Sequence, residues 1–201
     1  MDLFINKLMS SVIEIILFAS IPFIWWLIGA RKKAGFFDWI GLKKMEKHKG
    51  TIPLIIVITA VFCAVSIVIL YMIRDVETAS SGFDGLGVKA IPAILVYAIL
   101  NTALPEEMMF RGFLLKRIAS RAGFSAGNTI QAVVFGLMHG IMFASHIGMA
   151  KAIIIVIFTG LIGWVMGYIN EKRSGGSILS SWIIHALSNI FSGLVSAFSL
   201  L

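Results

Sequence analysis

TIPLIIVITAVFCAVSIVILYMI, running from Thr51 to Ile73, carries no charged side chain anywhere along it. As a helix rising about 1.5 Å per residue it is roughly 35 Å long, enough to cross a hydrocarbon core of about 30 Å. It is apolar on every side, so it has no polar face to turn toward water. Similar runs lie on both flanks. Leu8–Gly29 precedes it, with Pro22 as a kink point and Trp25 and Trp26 placed as interfacial anchors. Val88–Leu104, Pro105–Ser120, Phe124–Phe143, Gly148–Ile169 and Ile178–Leu201 follow. The 201 residues are 59% hydrophobic and 13% charged, against about 45–50% and ~25% in soluble domains. The expected fold is all-α: a polytopic transmembrane bundle of about seven membrane helices in a cell membrane. It forms one domain over 1–201, with generic spans in 1–84 and a core in 85–201 that carries the motifs. The first run is too long for a signal-peptide core and reads as a retained span.

The net charge of +7 is explained by placement. Arg31, Lys32, Lys33, Lys43, Lys44, Lys47 and Lys49 crowd one short connection, which marks that loop as cytoplasmic. The expected contact is a lipid bilayer, with no nucleic acid among the partners; oligomeric state is left open. Phe36-Phe37-Asp38-Trp39 reads as a short interfacial helix, and Arg74–Lys89 as an outer loop. Cys63 reads as a small hydrophobe. Glu14, inside the first run, is expected near water because burial is costly. Orientation is contested. A full crossing by the Pro105 segment puts Lys116, Arg117 and Arg121 outside, against the charge rule; a half-inserted segment separates Glu106 in depth from His139. Agreement in depth favours the full crossing.

Ionisable groups within a bilayer cost roughly 2.5–3.5 kcal/mol on insertion scales, so Glu106-Glu107 and Arg111 need a reason. Pro105 is expected to start a fresh helix, with both carboxylates in a first turn where the helix dipole favours anions. Glu107 and Arg111, four apart, can pair. Glu106 is turned about 100° away and is free for other work. Phe135 and His139 share a face of a later run. His185 and Asn189 share a face of the last one and present two donors toward one point, as a developing oxyanion needs. Each feature alone has an ordinary reading: a solvated helix start, a histidine bonded to a carbonyl, interhelical polar glue worth about 0.6–2 kcal/mol. Together they place six such residues on otherwise apolar helices, and that pattern favours a site. Gly136/Gly140 and Gly163/Gly167 have the spacing that lets helix backbones approach closely.

Glu106-Glu107-x-x-x-Arg111, Phe135-x-x-x-His139 and His185-x-x-x-Asn189 resemble the three ordered motifs of the CAAX-protease and bacteriocin-processing intramembrane peptidases, the Abi family. The resemblance covers Pro105 to Asn189. It implies a glutamate-dependent membrane endopeptidase with no cofactor and no metal. Glu106 would activate water with help from His139, His185 and Asn189 would stabilise the oxyanion, and Glu107 and Arg111 would hold the geometry. The substrate would be a peptide or lipid-modified protein in the membrane. The short chain resembles bacterial members, which process peptides or protect against them, bacteriocins included.

Other readings compete. A metal-dependent peptidase would have to gather its ligands from separate helices, since HExxH is absent. Gly123-Phe-Ser125-Ala-Gly127 matches GxSxG, but it opens an apolar helix, where Ser125 reads as an N-cap rather than a nucleophile. His146 reads as interfacial. A non-catalytic immunity or partner-binding protein could keep the same fold and polar cluster.

Overall fold

The computed structural model describes residues 3–46 and 48–201; Lys47 lies outside the described residues. Every regular element among them is helical. The first is α1 (Leu3–Gly29), followed by the short α2 (Phe36–Ile40) where the interfacial helix was expected, and α3 (Thr51–Met72). After a short 3₁₀ turn, Ser81–Phe83, the chain enters one long helical stretch, Gly87–Ile147, which opens with a second such turn, Gly87–Ala90. Its parts are α4 (Ile91–Val96), a π-helical segment Tyr97–Ala103, α5 (Leu104–Glu107), a second π-helical segment Met108–Leu115, and α6 (Lys116–Ile147). α7 (Met149–Arg173) and α8 (Leu179–Ala197) complete the bundle. Five of these helices are long and apolar enough to cross a membrane, Gly87–Ile147 counted once. Gly123, at φ 83° and ψ 163°, breaks that long stretch inside α6.

The expected boundary at Pro105 is therefore corrected. Val88–Leu104 and Pro105–Ser120 are a single helix, part of the Gly87–Ile147 stretch. Proline normally removes a bond and drives its ring into the carbonyl four residues back. Here the wider π turn immediately before Pro105 takes up that conflict. Side chains also bond carbonyls of this segment: Trp182 Nε1 donates to Ile99 O at 2.8 Å, and Thr102 Oγ1 to Tyr97 O at 3.1 Å. Glu106 and Glu107 consequently sit in mid-helix, and the dipole of a fresh helix start does not act on them.

The full crossing by Pro105–Ser120 is corrected as well. Lys116 Nζ donates to Gly176 O at 2.7 Å and Arg117 Nη2 to Trp39 O at 3.4 Å. Thr51 Oγ1 donates to Arg173 O at 2.9 Å, and Ser177 Oγ to Lys43 O at 2.6 Å. The basic connection, the Lys116–Arg117 turn and the α7–α8 connection thus share one end of the bundle. Lys7 donates to Ala79 O at 3.3 Å and Ser196 Oγ to Ser80 O at 2.8 Å, which gathers the start of α1, the 74–89 loop and the end of α8 at the other.

Apolar helices gain nothing from leaving lipid for one another, so close fit and polar contacts hold them together. Both glycine pairs serve that fit. Gly136 and Gly140 of α6 meet Val156 and Ala152 of α7, and Gly167 of α7 meets Asn128 and Leu115. Asn128 Nδ2 donates to Trp164 O and Gln131 Nε2 to Gly163 O, both at 2.9 Å, so the same pair of helices is also stitched by amides. Another cluster, of Ile55, Phe62, Met166, Ile169 and Ile184, joins α3, α7 and α8. α1 runs along the outside, burying only Ser11 and Pro22. Its Ile16, Leu17 and Ile28 are exposed, as side chains facing lipid are.

Candidate functional site

The polar centre is built on Glu107. Its Oε1 accepts from Arg111 Nη1 at 3.0 Å and from His185 Nδ1 at 3.0 Å, and both Glu107 and Arg111 are fully buried. A carboxylate oxygen can only accept, so Nδ1 of His185 carries the proton. The Arg111 guanidinium lies 4.1 Å from the Phe135 ring centroid. The Phe135 ring also meets Phe110 edge-on at 5.1 Å and His139 at 4.5 Å. An arginine that cannot reach water is thereby held by an ion pair below and an aromatic face above.

With Nδ1 fixed, Nε2 of His185 is directed at Glu106, 3.8 Å from its Oε2. Glu106 is 16% exposed, and Oε2 is buried without a hydrogen-bond partner. The separation is longer than a direct hydrogen bond but short enough for one water to touch both groups. His139 Nδ1 lies 2.9 Å from Phe135 O. A carbonyl cannot donate, so this nitrogen also carries the proton, and Nε2 of His139 is left as the free face. Asn189 Nδ2 donates to Thr102 Oγ1 at 2.7 Å, and Thr102 Oγ1 in turn donates to Tyr97 O. The π-helical segment thus orients Asn189 through Thr102. Glu106, His139, His185, Asn189, Thr102 and Tyr97 line one cavity of about 400 Å³.

All six residues singled out in the sequence come to this region: Glu107 and Arg111 as its buried floor, Glu106, His139, His185 and Asn189 on the cavity wall. Thr102 and Tyr97 were missed. The polar pair Asn101-Thr102 inside an apolar run was the available signal, but Val88–Leu104 read as an ordinary span. Glu14 is corrected. It is half-buried, with Asn101 of the π-helical segment, Glu106 and Lys7 as its neighbours, so it points into the bundle; Lys7 offsets part of the cost that argued for water. Ser125 is corrected too. Gly123 occupies the boundary, and Ser125 lies exposed inside the helix. Its φ is not positive, Ser199 being the one such non-glycine among the described residues, so it has no strained elbow. His146 is exposed at the mouth of the cavity. Among the described residues no three His, Cys, Asp or Glu side chains are grouped as metal ligands.

Comparison with curated proteins finds no match, and none is found among solved structures. Comparison with models of protein families matches residues 88–191 to the type II CAAX prenyl endopeptidase Rce1-like family. That range is more than half of the chain and includes Glu106, Glu107, Arg111, His139, His185 and Asn189, together with the missed Thr102. The chain belongs to the Rce1-like family of type II CAAX prenyl endopeptidases, membrane hydrolases of peptide bonds.

Proposed function

We propose that the chain is a multi-pass protein of the cell membrane that hydrolyses a peptide bond of a membrane-associated peptide or protein with water activated by Glu106. The observation that supports this best is that Glu106, His139, His185 and Asn189 line a single cavity. Glu106 takes a proton from water while the oxygen attacks the scissile carbonyl carbon. The free Nε2 of His139 helps to hold that water. His185 donates from Nε2, and Asn189 from Nδ2, to the oxygen that gains the charge; such a donor is worth about 10²–10³ in kcat. The intermediate then collapses, and Glu106 returns its proton to the departing amine. One water is consumed, and the products are a new carboxyl terminus and a new amine. Glu107 and Arg111 position His185 without touching the substrate. Processing of peptides such as bacteriocins, or protection against them, is the setting this reading favours; it does not require a prenylated substrate.

The test uses protein reconstituted in lipid nanodiscs and a library of membrane-associated peptides, with cleavage scored by mass spectrometry. Glu106→Gln and His139→Ala should each abolish cleavage while leaving the thermal midpoint close to that of the unaltered protein. If both variants lose cleavage yet still protect cells, protection is a separate property of the fold. If the unaltered protein protects but cleaves nothing, the rival non-catalytic role replaces this one. Loss of cleavage after exhaustive chelation, restored by added metal, would replace the metal-free mechanism.

A further inference from the structure

Resting on that reading of the site, we infer that its chamber is reached from the end of the bundle opposite the basic end. Its substrates are then peptide segments presented on the non-cytoplasmic side of the membrane: exported peptides, or outer segments of membrane proteins. Three observations carry this. First, the basic loops share one end, tied together by Lys116 to Gly176 O and Arg117 to Trp39 O; positive charge in short loops is retained in the cytoplasm.

Second, the chamber opens away from that end. From Glu106, His185 and Asn189 it continues past Ser192 to Val76, Thr78 and Glu77 of the 74–89 loop. Glu77 and His146, at its mouth, are both exposed. The loop itself is anchored at the far end, where Ser196 Oγ donates to Ser80 O at 2.8 Å and the Gly85 N–H to Ser196 O at 3.4 Å.

Third, the route toward the basic end is closed. Directly beneath Glu106 lie Glu107 and Arg111, then Leu115 and Ile169, all fully buried. Two amide networks seal the remaining depth. Asn170 donates to Ser181 Oγ at 2.7 Å and accepts from Ser180 Oγ at 2.7 Å, while Gln131 donates to Asn128 Oδ1 and to Gly163 O. These amides bond one another, hydroxyls and carbonyls, and none of them lines the chamber.

Accessibility tests this independently of activity. In a Cys63→Ser background, which removes the one native thiol, single cysteines are introduced as Ser192→Cys in the chamber, Thr78→Cys at its mouth and Lys44→Cys at the basic end. A small, charged, membrane-impermeant thiol reagent is applied to intact cells and to inverted membrane vesicles. The expected result is labelling of Thr78→Cys and Ser192→Cys in intact cells with loss of that labelling in inverted vesicles, and the reverse for Lys44→Cys. Labelling of Ser192→Cys only in inverted vesicles would overturn the inference, as would protection of Thr78→Cys in intact cells. Cleavage in nanodiscs is scored separately. Absent cleavage with the expected labelling defeats the peptidase reading alone, and cleavage with reversed labelling defeats only the side of access.

Discussion

Replacing Arg111 by Gln removes the positive partner of a carboxylate that has no access to water. Arg111 Nη1 and Glu107 Oε1 are 3.0 Å apart, so at an effective dielectric of about 20 their attraction is roughly 5–6 kcal/mol. Their desolvation offsets much of that, and what matters on substitution is the charge left behind. Breaking one side of a buried pair costs about 3–5 kcal/mol. For a chain of this size about 1 kcal/mol moves the midpoint by roughly 2–4 °C, so Arg111→Gln should lower Tm by roughly 6–20 °C. Glu107→Gln should fall comparably, because it strands the guanidinium. The double variant Glu107→Gln/Arg111→Gln strands neither charge and should melt well above Arg111→Gln, which gives a coupling that only direct interaction produces. Tryptophan fluorescence of protein in detergent, followed on heating, reads all three. A double variant whose loss equals the sum of the single losses would refute the reasoning, and so would an Arg111→Gln midpoint unchanged from wild type.

Gly163→Ala puts a methyl group 3.1 Å from Arg111 Nη2 and 3.3 Å from Phe135; the crowding should cost about 1–3 kcal/mol and reduce cleavage. Gly160→Ala, with its nearest contact at 3.3 Å to a carbonyl, should do less in the same melting and cleavage assays. Asn189→Ala should lower kcat by about 10²–10³ with little change in KM. Thr102→Val, which removes the hydroxyl that accepts from Asn189, should lower kcat less, and Thr102→Ser should restore it. Ser125→Ala should leave peptide cleavage unchanged; its loss would revive a serine mechanism.

What could be read from residues alone was which polar residues come together and the helices that carry them. Runs such as Thr51–Ile73 leave little choice of structure in lipid, and four-residue spacings put Glu107 with Arg111 and Phe135 with His139 on common faces. The long helix was misread because proline's local rule was applied without its neighbours. Whether Pro105 ends a helix depends on the turn before it, and the π-helical turn at Tyr97–Ala103 is held by Trp182 of α8, far away in sequence. The sidedness of Lys116 and Arg117 was misread in consequence. Thr102 escaped for a related reason: its role comes from Asn189 on another helix. Glu14 escaped because its neighbour Asn101 belongs to the same unrecognised segment.

His185 links the two adjacent glutamates. In a regular helix Glu106 and Glu107 diverge by about 100°, and one side chain rarely meets both. His185 does so by presenting opposite edges of its ring, Nδ1 to Glu107 at 3.0 Å and Nε2 to Glu106 at 3.8 Å. In the proposed reaction Glu106 must be unprotonated to take a proton from water, while His185 must donate from Nε2. With the Nδ1 proton engaged by Glu107 Oε1, Nε2 is the edge of the His185 ring that faces Glu106. Arg111 shares the same Oε1, so Glu107 is held from two sides and keeps the His185 ring turned with Nε2 toward the cavity. Substitution at Glu107 should therefore impair cleavage even when His185 keeps its position, because an amide oxygen holds the ring without supplying the charge. Glu107→Gln that cleaves at the wild-type rate would show that Glu107 acts only as a support.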